Sequence, residues 1–166
     1  MKTLLVLRHA KSSWDDSSLD DHERPLNARG ERDAPQMGRL VRKKRLSVEL
    51  IISSDALRAQ MTAQAMADAA SYRGQILLDA RLYHASPTEI LAVLRSAVEQ
   101  KIAAVMIVGH NPGLEDLVAQ LTGNPEGLPT AALAQIDLPI DRWADLTTST
   151  RGTLVGLWRP KELSGS

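Results

Sequence analysis

The chain has no cysteine among its 166 residues. That excludes disulfides, cysteine-based metal sites and any mechanism that needs a thiolate nucleophile. Neither sign of charge is in excess: 20 basic and 20 acidic residues balance. A dedicated nucleic-acid binder shows a basic surplus, so no nucleic-acid partner is expected. No glycine-rich phosphate loop follows an apolar run, which argues against a nucleotide-binding protein. Long hydrophobic runs are missing as well. The longest, residues 4–7 and 103–108, are strand-sized and too short to span a bilayer. The N-terminal run is also too short for a signal-peptide core, so no membrane partner and a cytoplasmic location are expected. What is present is ordinary for a globular protein: 43% hydrophobic and 24% charged residues, in a length that suits one domain over residues 1–166.

The apolar runs set the expected elements. Residues 4–7 and 103–108 read as buried parallel strands. Shorter runs at 48–52 and 75–78 suggest two more. Helical composition covers 28–44, where Met37, Leu40 and Val41 share a face and Pro35 predicts a kink or a late start. A second helix is expected over 56–70, with Ser53, Ser54 or Asp55 as its N-cap. Ser86-Pro87-Thr88-Glu89 has the pattern of a third helix start, running to about Gln100, and a fourth helix is expected over 114–121. Ala134, Ile136 and Leu138 alternate with Gln135 and Asp137 as in a half-buried strand, which pairs antiparallel with a last strand at 153–158. Ser164-Gly165-Ser166 reads as a frayed end. Strands alternating with helices imply an α/β fold, a three-layer sandwich with a mainly parallel central sheet and helices on both faces.

Two histidines stand at equivalent places in this pattern. His9 follows the first strand and His110 follows the 103–108 strand. Ligands of open α/β sheets bind at the carboxyl ends of strands, so both can meet in one crevice. Arg8 precedes His9, and Arg58 lies early in the helix after the second strand. A guanidinium suits phosphate oxygens, and an imidazole in the right tautomer is a nucleophile toward phosphorus. The set suits phosphoryl transfer through a phosphohistidine. Each residue alone also has a plain structural explanation, as a hydrogen-bonded histidine or a solvated arginine.

Leu5-Val6-Leu7-Arg8-His9-Ala10-Lys11-Ser12 resembles the Arg-His-Gly signature of the histidine phosphatase superfamily, which includes the phosphoglycerate mutases, with Ala10 in place of the usual glycine. Ser53-Ser54-Asp55-Ala56-Leu57-Arg58-Ala59-Gln60 is similar to its second-arginine segment, and Val108-Gly109-His110-Asn111-Pro112 to its second-histidine segment. Arg24-Pro25-Leu26-Asn27-Ala28-Arg29-Gly30 resembles a segment of the smallest members, the SixA-type phosphohistidine phosphatases. The resemblance implies a phosphoglycerate mutase-like fold and His9 as nucleophile. It further implies Arg8, Arg58 and His110 as the rest of the phosphate pocket, Arg24 as an added substrate contact, and no metal or organic cofactor.

Larger members place a carboxylic acid between the second arginine and the second histidine. Here that region holds Glu89, a candidate general acid that the start of a helix explains equally well. Asp79 lies just before the region, and His84 is a further candidate. A site without a dedicated acid suits a phosphoramidate better than an ester, because an imidazole leaves once its ring carries a proton. The expected substrate is therefore a protein-borne phosphohistidine. The alternatives are a small phosphate ester, with Glu89 as acid, or a non-catalytic phosphoryl-binding module. His22 sits in an acidic run without metal-ligand spacing to another histidine. The basic run Arg42-Lys43-Lys44-Arg45 reads as a solvated helix end or a patch for an acidic partner. Trp14 and Thr130 are further candidates for the mouth of the site.

Overall fold

The computed structural model describes residues 1–163; the 164–166 end lies outside them. Six strands form one sheet: β1 (Lys2–Arg8), β2 (Leu50–Ser53), β3 (Ile76–Leu78), β4 (Ala104–Gly109), β5 (Leu133–Leu138) and β6 (Thr153–Trp158). Their spatial order is β3-β2-β4-β1-β5-β6. The β3-β2-β4-β1 half is parallel, while β5 and β6 add antiparallel to the free edge of β1. The first strand is thus parallel to one neighbour and antiparallel to the other.

Successive strand residues point to opposite faces, and the apolar runs divide accordingly. Leu4, Val6, Leu50 and Ile52 pack beneath α3 (Pro87–Ala97) and α4 (Gly113–Thr122). Leu5, Leu7 and Ile51 pack against α1 (Ala28–Lys43) and α2 (Leu57–Ala69). Strands covered on both faces have no need of polar alternation, which is why they read as continuous apolar runs. A short last helix, α5 (Pro160–Leu163), follows β6. Trp143 is fully buried and its indole N–H donates to the Ile102 carbonyl at 2.7 Å, a packing role.

Three helix boundaries differ from expectation. α1 starts at Ala28, ahead of Pro35, because the Asn27 side chain caps it by accepting from Gly30 N–H at 2.9 Å. α2 is not capped by a side chain: Ala56 holds the cap position, and Ser54 Oγ bonds Ala56 N–H and His110 instead. α3 ends at Ala97, three residues early, while its start carries the full Ser86/Glu89 capping box.

Candidate active site

The carboxyl ends of β1, β2 and β4 meet where their polar continuations can face one another. Arg8 and His9 leave β1, Ser54 leaves β2 and His110 leaves β4. The loop after His9 is tied back by an antiparallel bridge between Ser12 and Leu26, and by Asn27 N–H donating to the Lys11 carbonyl at 2.9 Å. Gly30 fits there because a Cβ would lie 2.2 Å from that same carbonyl. A cleft of about 230 Å³ results. Its floor includes Arg8, His9, Arg58 and His110, and Lys11, Trp14, Arg24, His84 and Thr130 also line it. Every residue expected at the site is therefore brought together except Glu89.

His9 is 8% exposed, and its Nδ1 lies 2.7 Å from the Ala10 carbonyl oxygen. A carbonyl only accepts, so Nδ1 carries the proton and Nε2 keeps its lone pair. Burial pushes the His9 imidazole down to about 4, against a partial upward pull from the Ala10 bond; Arg58, Arg8 and Arg24 push further down. The ring is neutral near pH 7, the state a nucleophile needs. Ala10 is itself fixed. Its N–H donates to Thr62 Oγ1 at 2.9 Å, and the Thr62 hydroxyl donates to the Arg58 carbonyl at 2.7 Å.

His110 lies against His9 with ring centroids 5.1 Å apart. Its Nε2 is 2.8 Å from Ser54 Oγ, and its Nδ1 faces Arg58 Nη2 at 3.5 Å. A guanidinium only donates, so Nδ1 faces it as the acceptor and Nε2–H donates to Ser54. Burial, then His9 and Arg58, lower His110 to about 3. Arg8 Nη1 donates to the Leu128 carbonyl at 3.0 Å. That segment is held by Glu115, whose Oε1 accepts from Leu128 N–H and from Asn111 Nδ2, both at 2.8 Å.

Asp21 is the residue that sequence reasoning missed. Its Oδ2 accepts from Arg58 Nη2 at 2.9 Å and from the Tyr83 hydroxyl at 2.6 Å. Its Oδ1 accepts from Arg24 Nη1 at 3.1 Å, and its carbonyl accepts from Arg58 Nη1 at 2.7 Å. The Tyr83 bond holds the carboxyl down at about 2; burial pulls it upward, and Arg58 and Arg24 add further downward effects. Arg24 also donates to Ser13 O and to Ser12 Oγ, and its guanidinium lies 3.2 Å from the Trp14 ring centroid. His22 pairs with Asp55 at 2.8 Å. Glu89 closes its capping box with Ser86 N–H at 3.1 Å and does not line the cleft. The reading of Glu89 as acid thus gives way to the helix-start reading, because its carboxylate is held by its own helix.

The class follows from this geometry: two histidines and several arginines gathered at the carboxyl end of a phosphoglycerate mutase-like sheet. The family model for the histidine phosphatase superfamily, branch 1, matches residues 4–86, and the chain belongs to that superfamily. Within it the chain is of the SixA type. It is 30% identical over 167 residues to a Mycobacterium tuberculosis protein, covering 93% of this chain and all of that one. It is 24% identical over 138 residues to the phosphohistidine phosphatase SixA of Escherichia coli, covering 81% and 84%. The crystal structure of an Agrobacterium tumefaciens protein assigned as phosphohistidine phosphatase SixA superposes with a TM-score of 0.81 at 28% identity, covering 96% and 98%. These likenesses make the chain a phosphatase. Among the described residues no helix is long and apolar enough to cross a membrane.

Proposed function

We propose that the chain is a phosphohistidine phosphatase, acting as one domain, in which His9 takes up the phosphoryl group. The observation that carries this reading is the His9 tautomer: the Ala10 carbonyl fixes the proton on Nδ1 and leaves Nε2 as the nucleophile in a cleft lined by Arg8, Arg24 and Arg58. The Nε2 lone pair attacks phosphorus. The bond from phosphorus to the leaving atom breaks, and its electron pair goes to that atom. Arg8 and Arg58 meet the charge on the equatorial oxygens. His110 joins them once an anion draws Arg58 from its Nδ1. The Ser54 hydroxyl then donates to Nε2, and Nδ1–H turns donor, a change that takes a hydroxyl rotation and a tautomer exchange in which Nε2 gives its proton to water and Nδ1 takes one from water. Water next attacks phospho-His9, loses a proton, and releases phosphate and the neutral imidazole.

The site's acids favour a phosphohistidine over an ester. An alkoxide needs a proton from a placed acid, yet Asp21 is ionised at neutral pH and Glu89 is engaged elsewhere. An imidazole with its other nitrogen protonated leaves as a neutral ring and needs no donor. The E. coli relative bears the name of this activity.

The test is turnover of a phosphohistidine peptide against a panel of sugar and nucleotide monophosphates. The peptide is expected to show a kcat/KM at least tenfold above any ester. Preference for an ester overturns the substrate, and no hydrolysis of either makes the chain a binding module.

A further inference from the structure

The floor and the mouth of the cleft differ in chemistry. His9 and His110 at the floor are 8% and 6% exposed. At the mouth Trp14 is 71% exposed, the Asp21 side chain 43% and the His84 side chain 64%. In-line displacement puts the breaking bond on the side of phosphorus opposite His9, and the group beyond it occupies the mouth. Asp21 is unexpected in such a place. A carboxylate there occupies donors of Arg24 and Arg58 and repels a phosphoryl dianion. It helps one class of substrate, that whose leaving group carries positive charge. The aromatic surroundings fit a flat cation: one face of the Trp14 indole lies against Arg24, and the Tyr83 and His84 rings, centroids 3.9 Å apart and tilted by 41°, lie beside Asp21.

We infer that Asp21 is a specificity residue whose carboxylate, together with the Trp14 ring, forms a subsite for a protonated nitrogen leaving group, the imidazolium of an N-phosphorylated histidine. This rests on the reading of the chain as a phosphohistidine phosphatase. The step balances without an acid. The phosphorus–nitrogen bond breaks, its electron pair stays on the ring nitrogen, and the imidazolium becomes a neutral imidazole with its proton on the other nitrogen. Asp21 stabilises the protonated, reactive form of the substrate and offsets the positive charge of Lys11, Arg24 and Arg58 around it. It sets the cleft against groups that leave as anions.

The experiment compares kcat/KM for a phosphohistidine peptide and for p-nitrophenyl phosphate in the wild type, Asp21→Asn and Trp14→Leu, with inorganic phosphate as inhibitor. The peptide-to-ester ratio is expected to fall at least tenfold in Asp21→Asn and severalfold in Trp14→Leu, and phosphate is expected to inhibit Asp21→Asn more tightly. An unchanged ratio with weaker phosphate inhibition would show that Asp21 only holds the two arginines, and overturns the proposal. Should Asp21→Asn fail to fold, an unchanged ratio in Trp14→Leu overturns the subsite. A wild type that prefers the ester defeats the substrate reading itself. A wild type that prefers the peptide, with an Asp21→Asn ratio that does not move, defeats only the role of Asp21.

Discussion

At the scale of single residues, the chemistry of His9 is set by the neighbour it bonds. The Ala10 carbonyl chooses the tautomer, and burial among arginines keeps the ring neutral. Glu89 shows the opposite case. Its position in the chain fits the region where larger relatives keep an acid, yet its carboxylate is spent on the Ser86 N–H. Glu89→Gln is therefore expected to keep kcat/KM within twofold while melting at a slightly lower temperature. A loss of activity that grows with the basicity of the leaving group would return Glu89 to the reaction. Asp21 was not legible in the sequence for a physical reason. Its partners Arg58 and Tyr83 lie 37 and 62 residues away, and an aspartate in an acidic loop carries no local sign of such contacts. The places of Arg8, His9 and His110 were legible because strand ends can be found from the apolar runs before them, and that of Arg58 from the helix expected after the second strand.

At the scale of elements, α2 does more than cover the sheet. Thr62, one turn beyond Arg58, links the Ala10 N–H to the Arg58 carbonyl and is fully buried. Thr62→Val keeps the shape and removes the acceptor. A buried N–H left without a partner costs about 1–3 kcal/mol, so a stability loss of about that size is expected in denaturant titration, with a fall in kcat as the Ala10 carbonyl that anchors the His9 ring loosens. A variant with unchanged stability and kcat would show that Ala10 finds another partner. Helix bodies were legible from composition and periodicity. Their ends were less so, since a cap is a competition among local partners. Ser53, Ser54 and Asp55 are all N-cap candidates for α2 by type, but Ala56 holds the cap, and the Ser54 hydroxyl serves His110 and the Ala56 N–H. Asn27 won α1 an early start that Pro35 alone would not suggest. The helix start at Ser86-Pro87-Thr88-Glu89 was legible because its signals lie within four consecutive residues, and the structure adds that Ser86 and Glu89 close a capping box there.

At the scale of the whole molecule, β1 is central to both the packing and the site. It pairs with β4 and β5, ends at Arg8 and leads directly into His9, so fold stability and site protonation are linked. The imidazoles of His9 and His110 sit at about 4 and about 3 when folded, below the ordinary 6.5. Above 6.5 both states are neutral and no proton separates them. As pH falls below 6.5 the unfolded chain binds protons first, and stability declines until the folded rings protonate near 4 and 3. Asp21, lowered from 3.8 to about 2, acts in the same direction at lower pH: its contribution is present above 3.8 and lost toward 2. Thermal melts from pH 7.5 to 3.5 are expected to show this decline, and the His9→Gln/His110→Gln double variant a shallower one. Equal slopes would contradict the buried neutral pair.

The central claim is that His9 carries the phosphoryl group, and trapping that group tests it most directly. The wild type, mixed with a phosphohistidine peptide labelled in its phosphoryl group and quenched within one turnover, is predicted to hold an acid-labile, base-stable label on the peptide that contains His9. His9→Ala is predicted to hold none and to lose about a thousandfold or more in kcat. A label that persists in His9→Ala, or hydrolysis at the wild-type rate without His9, would contradict the account.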